Sequence, residues 1–142
     1  MRKKTVAIAE SCTGGLLGEM ITRTAGASSY FRGGVLAYHN DVKHALLGVP
    51  QGVLVRKGAV SEAVARLMAR NVRKRLRTTI GVAITGIAGP GGGTRKKPVG
   101  LVYIALSKGA KTSCRKFLFK GSRRKIRERS AKKALNWLKK EL

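Results

Sequence analysis

The chain has 142 residues, of which 43% are hydrophobic, so it is long enough to bury one core without disulfides or metal ions. Its 31 lysines and arginines stand against six acidic residues, and the formal net charge of +25 exceeds what solubility requires. No stretch reaches the roughly 18 to 20 apolar residues of a membrane span, and residues 1–4 lead into a segment too short for a secretory signal. We therefore predict one cytoplasmic domain over residues 1–142 that does not bind membranes, and the charge suggests a polyanionic partner.

Strand-like and helix-like segments alternate along the chain. Apolar runs predict strands near residues 5–9, 33–38, 79–85, 99–106 and 113–119, and helical periodicity predicts helices near 14–23, 41–47, 62–76 and 123–142. Asn40 and Ser61 are suited to cap the second and third helices, and Gly48 to end the second. This order predicts an α/β fold: a single three-layer domain with about five strands in a largely parallel or mixed sheet flanked by helices.

The cysteines and acidic residues do not suggest a metal site. Cys12 and Cys114 lack the spacing of zinc ligands, and the six acidic residues are scattered. We expect two free thiols in a reducing cytosol, and neither a metal ion nor a cofactor.

The most informative motif lies between the first strand and the first helix, where residues 10–15 read Glu-Ser-Cys-Thr-Gly-Gly. A small nucleophile at such a junction lies beside free backbone N–H groups and the positive end of a helix dipole, which stabilise an oxyanion. By itself, the hexapeptide fits an ordinary N-cap and tight turn better, because Ser, Thr and Gly are common in both. Its interpretation therefore depends on the motifs that follow it.

Four further motifs follow in order: Tyr-His-Asn-Asp-Val-Lys at 38–43, Gly-Ala-Val-Ser-Glu at 58–62, a glycine-rich loop at 85–94, and Lys-Pro-Val-Gly at 97–100. Together with the first motif, they resemble the CinA C-terminal domain family, the nicotinamide mononucleotide (NMN) amidohydrolases. The resemblance runs from about Val6 to the last helix.

Members usually carry a helix before the first strand, and here only residues 1–4 precede it. We therefore expect part of a sheet face or helix layer to be uncovered, which favours a partner or a homo-oligomer.

The resemblance implies hydrolysis of the carboxamide of NMN to nicotinic acid mononucleotide and ammonia in pyridine nucleotide salvage. Ser11 would be the nucleophile, and Tyr38 and Lys43 would activate it. A lysine base needs its pKa lowered by roughly three units from about 10.4, through desolvation or neighbouring positive charge. Without the motif, Lys43 fits a solvated helix lysine.

Two other nucleophilic arrangements are weaker. A serine–histidine–aspartate relay with His39 or His44 and Asp41 lacks a Gly-x-Ser-x-Gly elbow, and its members lie within one six-residue span. Cys12 would gain reactivity at a helix N-terminus, but the family pattern assigns the role to the serine.

Substrate contacts are expected at three places. Thr85 and Gly86 open a glycine-rich loop whose N–H groups suit a phosphate or another polar group, although a long surface turn is the alternative. The loop lacks the ending of a nucleoside triphosphate site and leads into a strand, so neither ATP nor NAD is supported. Arg123 precedes the last helix where the family places an arginine that faces the substrate, and a guanidinium suits a phosphate. Glu10, Thr13 and Gly14 complete the first motif.

The charge supports a rival function, because an enzyme for a mononucleotide needs only a local basic patch. The composition is similar to that of ribosomal and other RNA-coating proteins, so the alternative is a CinA-like domain recruited to RNA or a ribosome. Aromatic content is only 5%, which favours backbone contacts with structured RNA or a duplex over base stacking. The expected contacts lie on the last helix: Arg124, Lys125, Arg127, Arg129, Lys132 and Lys133. A general enrichment of the organism's proteins in basic residues would also explain the charge.

Overall fold

The computed structural model describes residues 3–142, within which five strands form one mixed sheet. The strands are β1 (Val6–Glu10), β2 (Phe31–Leu36), β3 (Ile80–Gly86), β4 (Leu101–Lys108) and β5 (Lys111–Leu118). Their order across the sheet is β2-β1-β3-β4-β5. β1 is parallel to both β2 and β3, whereas β4 is antiparallel to β3 and to β5.

Helices cover both faces of the sheet and give the predicted three layers. They are α1 (Leu16–Thr22), α2 (Asn40–Leu47), α3 (Gln51–Lys57), α4 (Glu62–Arg75) and α5 (Arg123–Glu141), with a short 3-10 helix at Ala27–Ser29. α1 and α5 pack on the face that carries Ile8, Val82 and Ile104. α2, α3 and α4 pack on the face that carries Ala7 and Ala83. Alternate residues of each buried strand thus serve opposite cores, as the two-residue strand period requires.

The predicted α/β architecture and the five strands are confirmed, but α3 was not predicted. A seven-residue helix between Pro50 and Gly58 is too short to produce a clear helical period, and it buries Leu54 alone. β5 begins at Lys111, two residues earlier than predicted, because it pairs with Lys108 across a tight hairpin. It is an edge strand with many exposed residues, so a charged start is compatible with pairing.

The parallel strands determine where functional side chains can meet. β1, β2 and β3 end at the same edge of the sheet, and the segments that follow them leave from that edge. Among residues 3–142, no helix is long and apolar enough to cross a membrane. Residues 1–2, part of the short segment before the first predicted strand, lie outside the described residues.

Candidate active site

A small cleft opens where the parallel strands end. Its volume is about 200 Å³, and Ser11, Tyr38, Lys43 and Thr85 line it. Ser11 follows β1, Tyr38 follows β2, Thr85 belongs to the end of β3, and Lys43 comes from α2. The sheet order places β1 between β2 and β3, so Ser11 lies at the centre of the group. The remaining lining residues are Cys12, Asn40, Ala59, Val60, Gly86, Ala88 and Arg123.

Ser11 and Lys43 are directly hydrogen-bonded. Lys43 Nζ donates to Ser11 Oγ at 3.0 Å and to the backbone carbonyl of Tyr38 at 3.0 Å. Ser11 Oγ also lies 3.5 Å from the same carbonyl. The serine oxygen, the lysine amine and one carbonyl therefore form a closed triangle in which a proton can pass from Oγ to Nζ.

Burial changes the acidity of Lys43. The residue is 1% exposed, and desolvation lowers its pKa from 10.5 to about 8. The weaker opposing influence comes from Cys12, whose thiolate form would favour the ammonium. A lysine with this pKa carries a neutral amine in roughly a tenth of the molecules at pH 7, so it can act as a base near neutrality.

Glu10 organises the turn that carries Ser11. Its buried carboxylate accepts hydrogen bonds from Thr13 Oγ1 at 2.6 Å and from the N–H groups of Leu17 and Gly18, each at 2.9 Å. The N–H groups at the start of α1 are therefore occupied by Glu10. These N–H groups are therefore not available to an oxyanion.

Other donors remain in this turn. Among residues 3–142, the N–H groups of Cys12 and Thr13 have no hydrogen-bond acceptor, whereas those of Ser11 and Gly14 bond to Ile84 and Ser11 carbonyls. Of these two residues Cys12 lines the cleft and Thr13 does not, so the Cys12 N–H is the donor available for a substrate oxygen.

Arg127 of α5 fixes the same turn from the other side. Its Nε donates to the Cys12 carbonyl at 3.1 Å, and its Nη2 donates to the Thr13 carbonyl at 2.8 Å. These two hydrogen bonds fix the orientation of the peptide units to which the carbonyls belong. Sequence reasoning placed Arg127 in a nucleic-acid surface and missed this role. Its position one helical turn after Arg123 was the available indication, because residues four apart share a helix face.

Arg123 lines the cleft and joins two of its walls. Its Nη1 donates to the Gly89 carbonyl at 2.7 Å, and its Nη2 donates to the Tyr38 hydroxyl at 3.0 Å. The Tyr38 side chain is 61% exposed and lies with Arg123, so the contact of this residue with Ser11 and Lys43 is made by its carbonyl.

The other predicted substrate-binding residues divide into two groups. Thr85 and Gly86 line the cleft, and Thr85 Oγ1 donates to the Ala59 carbonyl at 2.9 Å. Glu10 and Thr13 are buried in the turn, and neither they nor Gly14 line the cleft.

The two rival nucleophilic arrangements gain no support. Burial raises the pKa of the Cys12 thiol to about 11, so it is protonated near neutrality. His39 Nδ1 accepts a hydrogen bond from the Asp41 N–H, and His44 Nδ1 lies 2.9 Å from the Val49 carbonyl. These contacts are local to α2 and its ends.

Both cysteines are free, and residues 3–142 contain no group of three His, Cys, Asp or Glu side chains placed to hold a metal ion.

The side chains predicted to contact nucleic acid have different surroundings. Arg124 pairs with Glu128 at 3.0 Å, Arg129 donates to the Lys120 carbonyl, and Lys133 lies 5.9 Å from the ring centre of Phe117. Lys125 and Lys132 are exposed. Arg127 is separated from this group by its contacts with the Ser11 turn.

Known proteins share both this sequence and this fold. The family model of the CinA C-terminal domain matches residues 1–142. A CinA-like protein of Cyanothece sp. is 56% identical over 144 residues, covering 99% of this chain and 34% of the relative. A CinA-like protein of Gemmatimonas aurantiaca is 51% identical over 139 residues, covering 98% and 32%. The chain therefore spans about a third of the length of these curated relatives.

Solved structures agree with the family match. The competence/damage inducible protein CihA from Agrobacterium tumefaciens superposes with a TM-score of 0.92 at 40% identity, covering 95% of this chain and 83% of that one. A CinA superfamily protein from Escherichia coli superposes with a TM-score of 0.93 at 30% identity, covering 98% and 81%. On the sequence, the fold and these matches, the chain belongs to the CinA C-terminal domain family.

Proposed function

We propose that this chain is a serine-dependent amidohydrolase that converts NMN and water to nicotinic acid mononucleotide and ammonia. The observation that carries the proposal is the 3.0 Å hydrogen bond between Ser11 Oγ and Lys43 Nζ, with the pKa of the buried lysine lowered to about 8. A hydroxyl beside an amine that is partly neutral at physiological pH is an activated nucleophile. Family membership supports a hydrolase, and the choice of NMN rests on the resemblance.

The reaction would proceed in two halves. Lys43 Nζ accepts the Ser11 proton as Oγ attacks the carboxamide carbon, and the Cys12 N–H stabilises the oxyanion. The C–N bond then breaks, and the proton on Lys43 passes to the departing amine, which leaves as ammonia. Water then attacks the ester carbon while Lys43 Nζ accepts its proton. The bond between that carbon and Ser11 Oγ breaks, the proton passes from Lys43 to Oγ, and the acid and free Ser11 are released.

Arg123 would recognise the phosphate of the mononucleotide. It lies at the mouth of the cleft, where a guanidinium held by the Tyr38 hydroxyl and the Gly89 carbonyl keeps a fixed orientation. A planar donor pair of this kind suits a phosphate. The glycines at 91–93 are exposed and do not line the cleft, so Arg123 is the stronger candidate for this contact.

Ammonia release from NMN and from nicotinamide riboside, which lacks the phosphate, tests both parts of the proposal. Wild-type protein should release ammonia from NMN, and Arg123→Ala should raise the KM for NMN by roughly 30-fold or more, since a charged hydrogen bond contributes about 2 to 3 kcal/mol. The KM for the riboside should change little. Arg124→Ala is the matched control, because Arg124 is the next residue and pairs with Glu128 outside the cleft.

The result separates substrate choice from chemistry. Absence of ammonia release from NMN would refute the assigned substrate. Equal losses with both substrates would show that Arg123 serves the fold or the reaction and does not bind the phosphate.

A further inference from the structure

A dense group of cations lies at the end of the sheet opposite the cleft. Six basic side chains line two cavities there and are called the basic pole: Arg73, Lys74, Arg77, Lys108, Lys111 and Arg115. One cavity has a volume of about 360 Å³ and the other about 480 Å³, and Lys108 lines both. Within residues 3–142, Glu141 is the one acidic residue that lines either cavity.

The fold brings these cations together from three segments of the chain. α4 ends at Arg75, β4 ends at Lys108, and β5 begins at Lys111, all beside the start of β3. α5 also ends here, because Lys108 Nζ lies 3.2 Å from the Glu141 carboxylate. β3 is seven residues long and separates the pole from the cleft by about 20 Å, at about 3.3 Å per residue.

Little negative charge compensates this group. Arg73 donates to the Ser107 hydroxyl and the Gly109 carbonyl, which carry no charge. In the described part of the chain, Lys74, Arg77 and Lys111 have no carboxylate within ion-pair distance. Cations grouped in this way repel one another and attract counterions, so an incoming polyanion gains affinity by releasing those counterions.

The form of the pole favours a repeating anion over a single small one. Its cations line two open cavities on either side of Lys108, whereas one phosphate needs a single cradle. Lys111 and Arg115 of β5 line one cavity, the cations at the end of α4 line the other, and Lys108 lies between them. Cations on both sides of Lys108 can therefore reach phosphates of one duplex.

The tryptophan that lines one of the two cavities is not available for base stacking. Trp137 is 6% exposed, and the guanidinium carbon of Arg115 lies 3.9 Å from its ring centre. Proteins that bind single strands use exposed aromatic faces as platforms for bases. This arrangement favours contact with a backbone whose bases are already paired.

We propose that the basic pole binds the sugar-phosphate backbone of a nucleic-acid duplex. This function is separate from hydrolysis, because none of the six side chains lines the cleft. It also differs from the surface that the sequence indicated on the first half of α5, where Arg127 and Arg129 bond to backbone carbonyls.

Fluorescence anisotropy with a labelled 16-base-pair duplex, measured between 50 and 200 mM salt, tests the proposal. The measurement is repeated with RNA and DNA duplexes of one sequence and with the corresponding single strands. Poly-glutamate serves as a competing polyanion. The pole variant carries Lys74→Gln, Arg77→Asn, Lys108→Gln and Lys111→Gln. Asn is used at position 77 because Arg77 has a φ of 54°, a left-handed conformation that Asn tolerates. The matched control removes four charges from α5: Arg124→Gln, Lys125→Gln, Lys132→Gln and Lys133→Gln.

Wild-type protein should bind a duplex more tightly than a single strand, with a logarithm of affinity that falls linearly with the logarithm of salt. The pole variant should flatten this slope by up to about 3.6, which is four contacts at about 0.9 each, and the control should leave most of it. The double variant Lys74→Gln, Lys111→Gln changes two exposed residues and should flatten the slope by about half as much. It tests the proposal if the fourfold variant does not fold. Ammonia release should be unchanged in all three variants.

Several results would overturn the proposal. Equal flattening in the pole variant and the control would mean that overall charge, and not this surface, determines binding. Tighter binding of single strands, or displacement of the duplex by poly-glutamate at equal charge concentration, would reject duplex recognition. Absence of binding at 100 mM salt would reject a nucleic-acid partner.

Discussion

Replacing Lys43 by Met should abolish hydrolysis and yet stabilise the folded protein at neutral pH. The pKa of Lys43 is lowered from 10.5 to about 8, so below pH 8 the folded chain must hold an ammonium in a site that disfavours it. Between pH 8 and 10.5, the unfolded chain binds a proton that the folded chain has lost, so stability rises with pH across this range. Met is unbranched, apolar and one atom shorter than Lys, so it fills most of the same space without this penalty.

The expected size follows from the two pKa values. Their difference of about 2.5 corresponds to about 3 kcal/mol at pH 7, at about 1.4 kcal/mol for each unit of pKa. Met also loses the hydrogen bonds of Nζ to Ser11 Oγ and the Tyr38 carbonyl, about 1 kcal/mol each. The variant should therefore be more stable than wild type by about 1 kcal/mol at pH 7 and less stable by about 1 kcal/mol at pH 10.

Urea unfolding of both proteins at pH 7 and pH 10 measures this effect without a substrate. Ionisation of groups other than Cys12 is common to the two proteins and cancels in the difference between them, and Cys12 stays mainly a thiol at both pH values because burial raises its pKa to about 11. Lys132→Met is the matched control, because Lys132 is exposed on α5. In the activity assay, kcat should fall as pH drops below about 8, as expected for Lys43 acting as base.

A difference between wild type and Lys43→Met that is the same at pH 7 and pH 10 would refute the reasoning. It would mean that the pKa of Lys43 in the folded protein is close to its ordinary value, and a base at neutral pH would then have to be found elsewhere. Hydrolysis by Lys43→Met with an unchanged pH profile would remove the residue from the mechanism.

Four further substitutions test the surroundings of the nucleophile. Ser11→Ala should lower kcat by several orders of magnitude and reduce the free energy of unfolding by about 1 kcal/mol through loss of the hydrogen bond from Lys43 Nζ, and full activity would exclude Ser11. Tyr38→Phe should raise the KM for NMN through loss of its contact with Arg123, whereas a fall in kcat alone would show that the hydroxyl acts on Ser11 as the resemblance implies. Arg127→Met should lower kcat about tenfold with little change in KM, because it frees the carbonyls of the Ser11 turn; circular dichroism confirms the fold, and an unchanged kcat contradicts this positioning role. Glu10→Gln should reduce the free energy of unfolding by about 1 to 3 kcal/mol, since an amide cannot accept the three hydrogen bonds of the buried carboxylate, and an unchanged midpoint contradicts that account.

Local patterns in the sequence predicted much of the fold. The alternation of apolar runs and amphipathic segments predicted the five strands and four of the helices, because strand and helix periods are properties of neighbouring residues. α3 was missed because seven residues give too few turns to establish a period. The sequence motifs also identified the family and named Ser11, Lys43 and Arg123, which the structure brings to one cleft.

Only the tertiary structure decided which atoms meet. The β2-β1-β3 order places the Tyr38 carbonyl beside Ser11 and its hydroxyl beside Arg123, a division that residue types cannot encode. Arg127 reaches the Ser11 turn across 115 residues of chain, and the basic pole collects cations from three separate segments. Local sequence determines local conformation, whereas contacts between distant segments, and the burial that lowers the pKa of Lys43, arise when the layers pack together.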